Sequence, residues 1–362
     1  MTDLRGLSTV GGMTTLSDMQ PSIFPVLAIE SSCDETASAV IGEGGVVLGE
    51  AVRSQIDDHA IFGGVVPELA SRCHVEAIDP VVQEALSRAE LGLDDLGSVA
   101  ATAGPGLIGC LLVVLSYGQG LAAARGLPFL GVNHLEGHLL APFIGEAQPK
   151  FPFLGLIVSG GHTLLVHARG VGDYTVLGET RDDAAGEAFD KGARLLGLPY
   201  PGGIAVDRLS QSGNPSAVSF PRGMKRKDSL EFSFSGLKTA VWQHIQRNGV
   251  PEGQAMSDFC ASLQEAIVDV LLKKTLRASR VHGLDRVIVT GGVAANSRLR
   301  SAFSDAAERH GFELRFAERR WCTDNASMIG YAAAQRLMAG ERSSLALDAQ
   351  PGLNFGTAPG AA

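Results

Sequence analysis

The sequence predicts an α/β protein built from two related halves. Short apolar runs suited to strands alternate with longer segments whose apolar residues recur at helical spacing. A strand–turn–strand unit occurs twice, once near the start and once near the middle. The chain has 362 residues, which suits two domains of roughly 100–200 residues each better than a single core.

The first unit runs from the apolar stretch Phe24 to Ile29, through the polar turn Glu30-Ser31-Ser32-Cys33-Asp34-Glu35-Thr36, into a second apolar run. The other runs from Phe151 to Val158, through Ser159-Gly160-Gly161-His162-Thr163, into Leu164-Leu165-Val166. Both start with an aromatic–proline step and both place small polar residues between two strands. Val99 to Ala103 reads as a strand, Gly104-Pro105-Gly106 as a turn, and Leu107 to Arg125 as a helix. Pro128 to Val132 is a further strand. A helix is predicted over 257–281, with Phe259, Leu263, Ile267, Val270 and Leu271 along one face. Strands at Arg286 to Thr290 and Phe312 to Phe316 flank a helix starting near Asn296, and a last helix covers Thr323 to Met338.

The net charge is −9. A protein that grips nucleic acid unaided usually carries a basic surface, so any RNA-binding role rests on a local patch or on partner proteins. The five cysteines form no C-x-x-C pair, which argues against a disulfide framework or a cysteine zinc site and for a reducing, cytoplasmic setting. No basic segment followed by an apolar core opens the chain, and no run of about 18 apolar residues occurs, so neither a secretory leader nor a membrane span is expected. Residues 1–22 and 341–362 lack periodicity and read as flexible tails.

His134-Leu135-Glu136-Gly137-His138 is the sharpest chemical signal. On a helix, positions i and i+4 share a face, so two imidazoles there can hold one divalent cation. Glu136 is not adjacent to the first histidine, so it does not stand where a metalloprotease keeps its base. The ordinary alternative is one histidine capping a helix and one packing. Asp324, in Cys322-Thr323-Asp324-Asn325, is either a third ligand or a helix N-cap. Two histidines and a carboxylate suit iron or zinc and leave positions for substrate oxygen.

Glycine turns at Gly160-Gly161, Gly202-Gly203 and Gly291-Gly292 invite phosphate oxygens onto backbone N–H groups. Each is weak singly; together they suggest a nucleotide held between two similar domains. The acidic run Asp182 to Lys191 enters a helix, and Asp34 and Glu35 are adjacent carboxylates in a turn. Basic residues cluster at Arg222-Gly223-Met224-Lys225-Arg226-Lys227 and at Arg315, Arg319 and Arg320. These runs are either solvated surface or contacts to an RNA backbone.

Taken together, the motifs resemble the TsaD (Gcp/YgjD) family of tRNA threonylcarbamoyladenosine transferases from about Val26 to about Gly340. The stretches that carry the likeness include Ile29 to Thr36, Gly63 to Arg72, Thr102 to Leu107, His134 to Leu139, Val158 to Thr163, Asp182 to Lys191, Phe232 to Lys238 and Cys322 to Asn325. The resemblance implies an actin-like ATPase (ASKHA) fold of two RNase H-like domains with a nucleotide and metal cleft between them. The first would span 23–150 and the second 151–322, with helix 323–339 packing back on the first. It also implies a divalent metal, Fe(2+) or alternatively Zn(2+), on His134, His138 and Asp324. Its substrate-binding set would be Ile157, Val158, Ser159, Gly160, Gly161, Asp190, Gly203, Asp207 and Asn296, with Asp34 and Glu35 facing the reaction centre.

The implied reaction moves a threonylcarbamoyl group from threonylcarbamoyl-AMP, made by a separate synthase, to the adenosine 3′ of the anticodon in tRNAs reading ANN codons. TsaB and TsaE proteins would be partners. Two departures stand out: Asn133 replaces a histidine frequent in relatives, and the chain after Gly340 lacks the family's arginine- and tryptophan-containing ending. Alternative readings are a metalloprotease, a non-catalytic ATP-binding scaffold, and a sugar-kinase-like enzyme on the same fold. A kinase would need acids for magnesium rather than a histidine pair.

Overall fold

The computed structural model describes residues 22–223, 229–357 and 359–360. Two five-stranded mixed sheets form its centre, and they repeat one topology. The first contains β1 (Val26–Glu30), β2 (Glu35–Ile41), β3 (Val47–Ser54), β4 (Ser98–Gly104) and β5 (Phe129–Asn133), in the order β3-β2-β1-β4-β5. The other contains β6 (Phe153–Val158), β7 (Thr163–Gly170), β8 (Asp173–Glu179), β9 (Arg286–Thr290) and β10 (Glu313–Phe316), in the order β10-β9-β6-β7-β8. In each, three antiparallel strands are followed by two parallel ones that reach the sheet through helices. The duplication read from the two strand–turn–strand units therefore extends over the whole of both sheets.

Between the first sheet's strands come α1 (Ile56–Ala60), α2 (Pro67–Arg88) and α3 (Ile108–Arg125), and α4 (His134–Leu140) leaves its last strand directly. The second half adds α5 (Ala185–Leu195), α6 (Gly202–Ser210), α7 (Ser235–Asn248), α8 (Gln254–His282) and α9 (Ser297–His310), and α10 (Ala326–Met338) follows β10. Alternation along β1 decides which helix lies on which face. Leu27 and Ile29 join Val99 and Ala101 under α2 and α3, whereas Val26 and Ala28 join the larger core that includes α4, α10 and the second sheet. α10 is thus supplied from beyond the second sheet yet lies against β1 and β2 of the first.

α3 is, by length and composition, apolar enough to cross a membrane. Ser116, Tyr117 and Gln119 interrupt its apolar run. Here it packs on β4 and α2, with Cys110, Leu111, Val114, Leu115 and Ala122 buried.

The segment after α10 departs from what its Gly/Ala/Pro-rich composition suggests. It has no regular structure of its own but borrows hydrogen bonds from the first sheet. Ser343 N donates to Phe129 O at 2.8 Å, Gln350 N to Ala103 O at 2.8 Å, and Gly106 N to Pro351 O at 3.3 Å. Gln119 Nε2 donates to Leu347 O at 2.7 Å. The path is a strap across the ends of β4 and β5.

Candidate metal centre and nucleotide cleft

β5 runs straight into α4, and Asn133 caps it: its Oδ1 accepts from Leu135 N at 3.0 Å. Neither histidine is therefore spent on capping. His134 and His138 lie one turn apart, edge to face, with ring centroids 4.7 Å apart and planes at 87°. Asp324 comes from the opposite end of the sequence. Its Oδ1 lies 3.0 Å from His138 Nε2 and 3.4 Å from His134 Nε2. Asn325, not Asp324, caps α10, through Oδ1 to Met328 N at 2.9 Å. The helix-cap role considered for Asp324 thus falls to its neighbour, and the carboxylate is left to face the histidines. The candidate ligand atoms of all three residues lie within 4.8 Å of one another.

A second layer holds these groups. His134 Nδ1 lies 3.1 Å from Glu30 Oε2 and 3.1 Å from Ser32 Oγ. Thr102 Oγ1 and Ser32 N both donate to the fully buried Glu30. A carboxylate on one imidazole nitrogen aims the other nitrogen outward, an arrangement common behind metal-bound histidines. Thr290 Oγ1 donates to His138 O at 2.8 Å, fixing α4 to the end of β9. Glu50 on β3 accepts from Trp321 Nε1 at 3.1 Å and Ser327 Oγ at 2.6 Å, pinning the loop that carries Asp324. His138 Nδ1 is buried without a hydrogen-bond partner among the described residues.

Burial works against charge on His134, but Asp324 and Glu30 outweigh it and hold its pKa well above the ordinary value. Burial likewise opposes ionisation of Asp324, and His134 and His138 overcome it, keeping the carboxyl well below its usual range. A proton is thus held among these groups. Once it leaves, two imidazole nitrogens and a carboxylate are available to a divalent cation. The cluster fits a divalent metal site.

Asp34 ends the turn between β1 and β2 and Glu35 opens β2, both steadied by buried His74. Its Nδ1 lies 2.7 Å from Thr36 Oγ1 and its Nε2 3.0 Å from Cys33 O. Burial, then repulsion from Asp324 and Asp34, pushes the Glu35 carboxyl up to about 9. It is therefore protonated at neutral pH. His162, in the β6–β7 turn, is driven down to about 4 by burial and by His134 and His138, so it is neutral.

The β6–β7 turn is closed by Ser159 N donating to His162 O at 2.8 Å and His162 N donating to Ser159 Oγ at 3.1 Å. A Cβ on Gly160 or Gly161 would meet nothing within 4 Å, so the turn's outer side is open. The start of α5 lies flush behind it, because a Cβ on Gly186 would fall 2.6 Å from Ser159 O. Gly291, at φ +93°, passes so close to Val158 that a Cβ would stand 2.4 Å from its carbonyl oxygen.

The remaining predicted residues form a chain of caps running away from that turn. Asp190 Oδ1 accepts from Gly202 N at 2.8 Å and Gly203 N at 3.3 Å at the start of α6. Asp207 accepts from Ser297 Oγ at 2.6 Å and Ser297 N at 3.1 Å at the start of α9. Asn296 caps α9 and donates to Gln264 Oε1 at 2.6 Å. The side chains of Ile157 and Val158 are wholly buried in the core, which leaves only their backbone for a ligand.

Glu136 is turned away from the histidines and pairs with Arg336, both oxygens lying 3.0 Å from its Nε. It is not available as a base at the metal centre, which removes the support for a metalloprotease. Among the basic residues, Arg315 pairs with Glu146 at 2.6 Å and Arg320 lies against Trp321 and pairs with Glu318 at 3.1 Å. Arg222 donates to Phe220 O at 2.8 Å. Lys225, Arg226 and Lys227 lie outside the described residues.

Sequence reasoning missed Glu30, Ser32, His74, Thr102 and His162. All of these but His74 stand inside the motifs that carry the family likeness, and an acid such as Glu30 at the end of an apolar strand is the one signal that could have drawn attention to a buried partner.

Comparison with known proteins agrees with the geometry. A family model described as tRNA N6-adenosine threonylcarbamoyltransferase (TsaD) matches residues 46–331. A curated protein of that name from Anaeromyxobacter dehalogenans (strain 2CP-1 / ATCC BAA-258) is 57% identical over 327 residues, covering 90% of this chain and 98% of the relative. One of the same name from Geobacter sulfurreducens is 53% identical, covering 90% and 95%. Among solved structures, full-length HypF in its phosphate- and nucleotide-bound form aligns with a TM-score of 0.58 at 14% identity, covering 88% of this chain and 56% of that one. The (R)-2-hydroxyglutaryl-CoA dehydratase component A of Acidaminococcus fermentans aligns at 0.51 and 15%, covering 87% and 99%. At such identities these two speak for the actin-like ATPase fold alone. Match, relatives and fold coincide over the same chain, which belongs to the tRNA N6-adenosine threonylcarbamoyltransferase family and is a transferase.

Proposed function

We propose that this chain moves a threonylcarbamoyl group from threonylcarbamoyl-AMP to N6 of the adenosine 3′ of the anticodon, in transfer RNAs that read ANN codons. The observation that carries the reading is the buried His134–His138–Asp324 cluster beside the Asp34–Glu35 turn, in a chain of this family. The open amides of Gly160 and Gly161, beside Ile157, Val158 and Ser159, hold the adenylate phosphate, and Asp190, Gly203, Asp207 and Asn296 line the path of its nucleoside. N6 attacks the carbamoyl carbon, a C–N bond forms, and the bond to the phosphate oxygen breaks with its electrons leaving on AMP. Asp34 accepts the amine proton. Glu35, being protonated, donates a hydrogen bond instead. A divalent cation on His134, His138 and Asp324, Fe(2+) or alternatively Zn(2+), supplies Lewis-acid polarisation when bound.

The adenylate comes from a separate synthase, TsaB and TsaE proteins assist, and the setting is the cytoplasm. The acceptor lies in a loop and can be splayed out without opening a duplex. The test combines this protein, those partners, unmodified transfer RNA, threonine, bicarbonate and ATP. Nucleoside analysis should find threonylcarbamoyladenosine with wild type and at least 100-fold less with His138→Ala (about 2.7 kcal/mol in barrier). No modified nucleoside with all components present would sink the proposal.

A further inference from the structure

Glu136 stands midway between the two histidines on α4. Successive helix residues are rotated by about 100°, so it leaves the helix opposite the imidazoles. There it is almost fully buried, and no step of the transfer uses it. Arg336 meets it with Nε 3.0 Å from both carboxylate oxygens and Nη2 3.0 Å from Oε2. The same guanidinium holds Glu341 through Nη1 at 2.9 Å. Arg336 belongs to α10, the helix that starts two residues after Asp324. The pair therefore ties the helix that carries the histidines to the helix that follows Asp324. Gly137 lets them touch, since a Cβ there would lie 2.9 Å from Ile329 Cδ1.

Two further contacts close this lock, and both involve the strap. Tyr174 on β8 donates to Glu136 Oε1 at 2.8 Å, and its ring stacks on Phe355 with centroids 5.2 Å apart. The preceding strap residue is bound as well: Asn133, the cap of α4, donates through Nδ2 to Asn354 O at 3.2 Å. Asn133 and the strap thus meet at the start of the helix that carries both histidines.

We propose that Glu136 is a positioning residue for the metal centre: paired with Arg336 and closed by Tyr174 and the strap, it sets the spacing between the histidine pair and Asp324. This rests on the reading of His134, His138 and Asp324 as metal ligands. A two-pronged ion pair fixes distance and direction together, which a hydrophobic contact does not. Supporting groups of this kind govern metal affinity without touching the ion.

The test is a titration of the metal-free full-length protein with Co(2+) under chelator competition, following visible absorption for ligand geometry and thermal unfolding for stability. Glu136→Gln keeps the shape and the Tyr174 contact but loses the charge. It should bind Co(2+) at least tenfold more weakly with an altered spectrum, while Phe355→Ala shifts affinity in the same direction by a smaller factor. Should Glu136→Gln not fold, Arg336→Lys, which keeps charge but loses the two-pronged geometry, carries the same expectation. Wild-type affinity and spectrum in the folded variant, with only the melting temperature lowered, would overturn the lock and leave the metal reading intact. If His138→Ala binds Co(2+) as wild type does, the metal reading falls and the lock falls with it.

Discussion

His134 carries a carboxylate at each ring nitrogen, Glu30 at Nδ1 and Asp324 at Nε2. A cation binding to Nε2 displaces a proton that these acids hold there, so metal affinity should rise with pH below the raised folded-state pKa of His134, by about tenfold per pH unit for one proton released. Competition titrations at two pH values check this; a flat profile would mean the imidazole gives up no proton. Glu35 gives a second pH signature. Its carboxyl is raised to about 9, against an ordinary 4.5. Between those values the unfolded chain has released the proton and the fold retains it, so stability falls as pH rises through that window. Glu35→Gln should relieve this, making the metal-free variant increasingly more stable than wild type from pH ~5 to ~9 and no more stable below ~4.5. Paired melting curves across that range decide it, and a constant difference would contradict it. The histidine pair was legible in the sequence because both ligands sit on one short helix. Their supports were not, because Glu30 and Arg336 lie 104 and 200 positions from the groups they hold, and burial leaves no mark on a residue's name.

At the level of elements, the chain uses asparagine repeatedly at decisive helix starts. Asn133, Asn296 and Asn325 accept from Leu135, Leu299 and Met328 amides at 3.0, 2.9 and 2.9 Å, each contact being worth about 1 kcal/mol. The strands and helices that were read lie within a few residues of their predicted bounds because apolar periodicity encodes them, whereas β3, β8, α2, α6 and α7 went unread. The strap was not, because its order is borrowed: the hydrogen bonds that hold it belong to the ends of β4 and β5, which no local pattern announces. Gly104 shows how close the fit is. Its φ is +152°, and an added Cβ would lie 2.0 Å from Gln350 O. Gly104→Ala should therefore push the strap off β4 and cost about 2 kcal/mol or more. Increased proteolysis between residues 341 and 357, with a lowered melting temperature, is the expected outcome. A variant as stable and as protected as wild type would show that the strap contributes little.

Across the molecule, a net charge of −9 gives a polyanionic substrate no general attraction. Arg315 and Arg320 are already engaged by acids, so the candidates for phosphate contact are the denser run Lys225-Arg226-Lys227 first and Arg319 after it. The chain alone should bind transfer RNA weakly. Neutralising those three residues should lower affinity and reduce the slope of log K against log salt by about 2–3, leaving adenylate binding unchanged. Identical slopes would make the run mere solvated surface. Local sequence patterns announced both halves, whereas the packing of the last helix on the first half was expected only from the family resemblance; α10 does lie against β1 and β2. That return to the first half orders events during synthesis. His138 and Asp324 are 186 positions apart, so the histidine pair leaves the ribosome long before the aspartate. A chain that stops before Asp324 lacks one of the three candidate ligands, so a metal held by the full set would mark molecules translated past that residue.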